Sequence, residues 1–400
     1  MFAVQAARVF TGTQEGWVVA EEGRHVYVLI DGGRIEGISF DAPKDRPVER
    51  FAGMSVLPGL IDMHCHVLYV TPAEARLPRG EMLTRAVLRA GQNAQRCLVR
   101  GVTSVRDLGA SGHEIHEVVR SIDEGWLAGP RIIAAGIGIT VSGGHGCDRI
   151  ALEVDGADAF RAAVRTEMKH GADWIKLMLT GGVGDLRESM WECQATREEI
   201  AAAIEETHRK GHRITAHISN SPTARDAIEL GIDGIEHGHH LDAETFELMA
   251  RSGTYLTPTL EVYHRIADRP GLDAHMKERS LALLEPHTEA VRRAYRAGVR
   301  ILAGTDSGQE FWPLGDLAYE IARLESAGIS NHDALMSATG LAADALGLTG
   351  EIGAIVSGAT ADLLVVPGDA SQSSMTLAEP AAVFKGGRRV VVSDGVAATA

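Results

Sequence analysis

Eight short apolar runs separated by stretches of helical periodicity constrain this chain more than any other feature. The runs cover residues 59–66, 103–107, 131–135, 174–179, 214–217, 234–237, 255–258 and 300–306. Amphipathic stretches at 161–170, 197–210, 222–230 and 243–251 fill several of the gaps. Strand-like and helical segments that alternate in this way build parallel βαβ units. Eight such units close naturally into a (β/α)8 TIM barrel, although an open doubly wound sheet has the same count. The barrel is expected, because neither GxGxxG nor GxxxxGK[ST] occurs in a convincing context.

The two ends of the chain differ in texture. Short runs that alternate apolar and polar residues precede the turn signal Asp31-Gly32-Gly33 and return at 361–367, 382–387 and 389–392. They predict one small sheet domain drawn from 1–56 and 350–400, with the barrel at 57–349.

With 400 residues and 45% hydrophobic content, a substantial core is within reach. The formal charge of -15 opposes attraction to nucleic acid or an anionic membrane, and a small neutral or zwitterionic substrate suits it better. Four cysteines without a CxxC pair point to reduced thiols. No basic stretch followed by an apolar run opens the sequence, and no run reaches membrane-spanning length. A soluble cytoplasmic protein is expected, without solenoid repeats or low-complexity tracts.

In a barrel the C-terminal strand ends carry the chemistry. The first run ends in His64-Cys65-His66, the fourth holds Lys176, the fifth and sixth end in His217 and His237, and the eighth ends in Asp306. His64-x-His66 places both imidazoles on one face of a strand, where they can chelate one ion. Among 17 histidines such a pair also arises by chance. Lys176 stands in an apolar strand, where an ammonium is expensive unless paired or altered. Either its amine reaches solvent at the mouth, or it reacts with carbon dioxide to give a carbamate able to bridge two metals. Taken singly, His217 and His237 read as ordinary strand-end residues and Asp306 as a helix cap. Their joint occurrence in order changes that reading.

The motifs Leu57-Pro58-Gly59-Leu60-Ile61-Asp62-Met63-His64-Cys65-His66, Gly101-Val102-Thr103-Ser104-Val105-Arg106-Asp107, Trp174-Ile175-Lys176, Ala216-His217, Gly234-Ile235-Glu236-His237-Gly238 and Ala303-Gly304-Thr305-Asp306 resemble the amidohydrolase superfamily. Within it the chain is similar to the branch of imidazolonepropionase-like proteins and metal-dependent, prolidase-like Xaa-Pro dipeptidases, and the resemblance covers nearly the whole chain. It implies a (β/α)8 barrel with a composite β-sandwich built from both termini. It also implies two divalent metal ions, usually zinc, with cobalt or manganese as substitutes. His64, His66 and Asp306 would hold the first and His217 and His237 the second, with an N-carboxylated Lys176 as the bridge. A bridging lysine favours a binuclear hydrolase over the superfamily's mononuclear deaminases and true imidazolonepropionases.

The implied reaction is hydrolysis of an amide C–N bond, in an Xaa-Pro type dipeptide or an N-acyl amino acid. Water is activated between the cations, with Asp306 as general base and then general acid. His145, in Ser142-Gly143-Gly144-His145-Gly146, resembles the branch's substrate-binding histidine and could stabilise the oxyanion. Where relatives often carry a tyrosine after the sixth-strand histidine, this chain has His239 and His240. One of them, with His240 as the candidate, takes that role, or the change marks a different substrate. Arg76, Arg79, Arg187 and Tyr263 lie on segments that could face the site, where an arginine could clamp a carboxylate. Glu188, Trp191 and Glu192 are candidate pocket residues.

Two alternatives remain. One is a lactam, cyclic-imide or carbamate hydrolase, since barrel loops change substrate without changing ligands. The other is a noncatalytic assembly protein, against which the retention of all six ligands counts. The expected partners are a small-molecule substrate and further copies of the chain in a homo-oligomer.

Overall fold

Seven of the eight expected central strands are present and run parallel to their neighbours. The computed structural model describes residues 1–399 except 22, 72, 185, 310, 311, 394 and 395. Leu60–Cys65, Val102–Asp107 and Arg131–Ala134 form one sheet. Trp174–Met178, Arg213–Asn220, Gly234–His240 and Tyr255–Thr257 follow in order in a second. Two three-residue strands outside the expected runs, Gly138–Thr140 and Ala151–Glu153, extend its edge. The Asp173 N–H donates to the Ala134 carbonyl at 2.8 Å and ties the two sheets together.

The eighth run is less regular than expected. Residues 300–306 and their successor make only isolated parallel bridges, Leu256 to Ile301 and Cys65 to Ser307. Gly304 passes so close to the first strand that a Cβ there would lie 2.8 Å from the His64 nitrogen. Asp306 then takes a left-handed φ of 54°, which breaks the extended geometry.

Helices Ala157–His170, Arg197–Arg209, Ser221–Glu229 and Ala243–Ser252 occupy the expected helical stretches. Thr196 and Glu199 open the second with a reciprocal capping box, and the Asn220 side chain caps the third ahead of Pro222. On the first strand Ile61, Met63 and Cys65 pack in the hydrophobic clusters. Asp62 and His64 alternate with them and point to the interior, as a period of two requires. A buried carboxylate there needs donors. Asp62 accepts from Thr305 Oγ1 at 2.6 Å and from the Thr305 N–H at 3.0 Å.

The chain ends make two further sheets. Phe2–Ala6, Val26–Asp31, Arg34–Ser39 and Val48–Arg50 form one. In the other, Arg8–Phe10, Trp17–Val19 and Ser55–Pro58 join Leu363–Val366, Ala382–Lys385, Arg388–Ser393 and Val396–Thr399. The hairpin between Val26–Asp31 and Arg34–Ser39 turns on Gly32 and Gly33, both at positive φ. Val4, Val28, Ile35, Val56, Leu363 and Phe384 belong to a separate core here. Among the described residues no helix is long and apolar enough to cross a membrane, and the four cysteines are free thiols.

Candidate metal centre

His64, His66 and Asp306 meet at the strand ends, each offering a ligand atom within 4.8 Å of the others. His66 Nε2 lies 3.0 Å from Asp306 Oδ1, and His64 Nε2 lies 3.6 Å from it. The remaining ring nitrogens are committed. His66 Nδ1 donates to the Gly109 carbonyl at 2.8 Å, and His64 Nδ1 to Glu236 Oε2 at 2.8 Å. These bonds orient both rings and turn each Nε2 toward the carboxylate, where His66 Nε2 is at hydrogen-bond distance from Asp306 Oδ1.

His217 and His237 adjoin this group, with ring centroids 4.4 Å apart and His237 5.1 Å from His64. His217 Nε2 donates to the Gly181 carbonyl at 3.3 Å. His237 Nδ1 donates to Thr259 Oγ1 at 2.7 Å. Each ring is again held through one nitrogen. A period of two would send Glu236 and His237 to opposite faces, yet both face inward because His237 takes φ 70° and Gly238 follows at 68°. Among the described residues three non-glycines have positive φ: His237, Thr259 and Asp306. Two are candidate ligands and the third holds the His237 ring. Backbone strain gathered in one place is a mark of functional sites.

Burial sets the charges. It pulls His64 down to about 4 and pushes His217 and His237 well below the ordinary histidine value, so these rings are neutral. Burial also brings Lys176, only 2% exposed, down to about 8. A share of its amine is therefore uncharged near neutral pH, the form that reacts with carbon dioxide. Burial raises Asp306, but His64, His66 and Lys176 outweigh it and hold the carboxyl below its usual range.

Beneath the histidines Glu236 accepts from Arg106 Nη2 at 2.8 Å and Thr215 Oγ1 at 2.6 Å as well as from His64. Arg106 also donates to the Met63 carbonyl at 2.7 Å and lies over the Trp174 ring. Neither Glu236 nor Arg106 was among the expected site residues. The available signal was the one that singled out Lys176, a charge inside an apolar strand.

Of the other expected residues, His145 has its ring 4.3 Å from that of His217 and its Nδ1 2.7 Å from Glu188 Oε2. Tyr263 is buried with Oη 3.3 Å from His237 Nδ1. His239 lies parallel to His237 at 5.5 Å, fully buried, with no partner for Nε2 among the described residues. His240 instead stacks on exposed Trp191 at 4.1 Å. The left-handed turn at His237 and Gly238 brings His239 rather than His240 alongside His237. Arg76, Arg79, Arg187 and Glu192 are exposed.

A family model described as the amidohydrolase family matches residues 55–396. The chain belongs to the amidohydrolase family. This amidohydrolase is 33% identical over 350 residues to an uncharacterized protein of Mycobacterium tuberculosis, across 84% of this chain and 86% of the relative. It is 28% identical over 381 residues to the ochratoxinase of Aspergillus niger, across 83% of this chain and 75% of the relative. Among solved structures it resembles a Xaa-Pro dipeptidase with bound methionine in the active site, at TM-score 0.86 and 29% identity, covering 100% of both chains. The amidohydrolase is a hydrolase acting on carbon–nitrogen bonds, with an α/β fold of parallel sheets.

Proposed function

We propose that the eight central segments close into a (β/α)8 barrel whose mouth holds two divalent cations, and that the enzyme hydrolyses the amide bond of an N-acyl amino acid or an Xaa-Pro type dipeptide. The bond between Asp173 and Ala134 and the bridges at Ile301 and Ser307 support closure, since they join neighbours that the two sheets leave apart.

The observation that carries the function is the donor set: four imidazoles, each held through one ring nitrogen by a protein oxygen, gathered with an ionised Asp306 and a buried Lys176. His64, His66 and Asp306 suit one ion and His217 and His237 a second, with N-carboxylated Lys176 between them. Nitrogen and oxygen donors of this kind suit zinc. When bound, the cations supply Lewis acidity, which acidifies water and polarises a scissile carbonyl. Asp306 takes the proton of the attacking water and passes it to the leaving nitrogen. With both ring nitrogens protonated, His145, held by Glu188 through Nδ1, donates its Nε2 hydrogen to the carbonyl oxygen as that atom gains charge. The Xaa-Pro dipeptidase among the similar structures supports a peptide-like amide, and the free thiols suit a cytoplasmic enzyme.

Protein purified without chelators should turn over N-acetyl amino acids or Xaa-Pro dipeptides, lose that activity to a chelator and regain it with zinc. Turnover of a lactam or cyclic imide alone would reject the substrate class. His145→Asn should lower kcat by about 10²–10³-fold with metal content unchanged, the loss typical of an oxyanion donor.

A further inference from the structure

Residues 141–150 reach both sides of the centre. His145 stands against His217. Five residues on, Ile150 adjoins Gly109, where a Cβ on the glycine would lie 3.4 Å from the Ile150 carbonyl oxygen and 3.6 Å from His66. Between them Arg149 donates Nη1 to Tyr69 Oη at 2.7 Å. The Tyr69 ring is 6.2 Å from the His66 ring and nearly buried. Tyr69 thus links a guanidinium to the side of the centre where His66 meets Asp306. Its Nε faces exposed Asp148, and its Nη2 has no partner among the described residues.

This position has a chemical meaning. Asp306 returns a proton to the leaving nitrogen, so the leaving amine must lie on the Asp306 side of the scissile carbonyl. When the leaving group is an amino acid, its carboxylate is attached one carbon from that nitrogen and is carried to the same side. Tyr69 Oη accepts from Arg149 and therefore has its own hydrogen to give. A free Nη2 and a hydroxyl hydrogen together make a receptor for a carboxylate.

We infer that Arg149 and Tyr69 bind the free carboxylate of the departing amino acid and select substrates that end in one. The inference rests on the proposed amide hydrolysis and names its substrate class.

A panel of N-acetyl amino acids, each paired with its primary carboxamide, tests it. The wild type should favour the acid by about 100-fold in kcat/KM, and Arg149→Gln should erase that preference by raising KM for the acid alone. Arg149→Lys should recover part of it, since the charge returns without the planar fork. Tyr69→Phe should fall between. Calorimetry with the free product amino acids gives a second readout. Their binding should weaken in Arg149→Gln while metal content stays constant. Equal slowing of acid and carboxamide in Arg149→Gln would reduce Arg149 to a support of the loop and overturn the inference. A wild type that cleaves both members of each pair equally would overturn it and leave amide hydrolysis standing. If the wild type cleaves neither, the proposed function falls and product binding decides: binding that Arg149→Gln abolishes sustains the carboxylate site, and unchanged or absent binding overturns it.

Discussion

Replacing Glu236 by glutamine perturbs the floor of the site without changing its shape. The carboxylate is fully buried and accepts from His64 Nδ1 at 2.8 Å, Arg106 Nη2 at 2.8 Å and Thr215 Oγ1 at 2.6 Å. Glutamine keeps one acceptor but leaves the Arg106 guanidinium inside without its counter-charge. Breaking a buried pair from one side costs about 3–5 kcal/mol. His64 also loses the carboxylate that sets its tautomer, and losses of that kind cost about 10–100-fold in metal affinity. The pH dependence has a definite sign. Burial raises Glu236, but Arg106 and His64 outweigh it and hold the group below its ordinary range. Its stabilisation is therefore present above the ordinary glutamate value of 4.5 and is lost as pH falls through the lower folded value, so variant and wild type should converge in acid. Denaturant unfolding of metal-free protein reads the first penalty, and zinc titration reads the second. The double variant Glu236→Gln with Arg106→Met should lose less than the sum of the singles, because no charge is then stranded. A neutral-pH loss under about 1 kcal/mol with unchanged metal affinity would refute the reasoning.

Three further outcomes are expected. Lys176→Ala should lose one of two bound metals, along with the carbamate carbon signal seen by NMR after labelling with ¹³C-bicarbonate; retention of both metals would exclude a bridge. Gly304→Ala puts a Cβ 2.5 Å from Thr257 Cγ2 and 2.8 Å from the His64 backbone. It should cost about 1–3 kcal/mol in unfolding experiments and weaken metal binding by displacing His64. Glu320 accepts the Leu260 and Glu261 N–H groups, yet burial pushes it up to about 8 from an ordinary 4.5. The folded state then holds a proton that the unfolded state releases, so stability should decline with rising pH between those values. Glu320→Gln should flatten that decline in thermal melts taken across the range.

Residues whose placement follows from local rules were legible in the sequence. Strand alternation put His64 on the inner face opposite Met63, and the strand-end rule drew attention to Lys176, His217 and Asp306. Features set by tertiary contact were not. The irregular eighth segment depends on how closely Gly304 approaches His64, which no propensity reports. Glu236 and His237 share a face only through a left-handed residue, and a strict period of two predicts the opposite. That same break sets His239, and not His240, beside His237. Gly138–Thr140 and Ala151–Glu153 are too short to display any period. Arg149 sits in a turn where its N–H donates to the Gly146 carbonyl at 3.1 Å, whereas Arg76 and Arg79, on segments that could face the site, are exposed.

The central claim is a pair of cations sharing one set of strand-end ligands. Protein stripped of metal and titrated with zinc, with bound metal counted by mass spectrometry and amide hydrolysis followed in parallel, tests it most directly. Activity should reach its maximum at two equivalents per chain. Full activity at a single equivalent, or in the stripped protein, would contradict a binuclear centre.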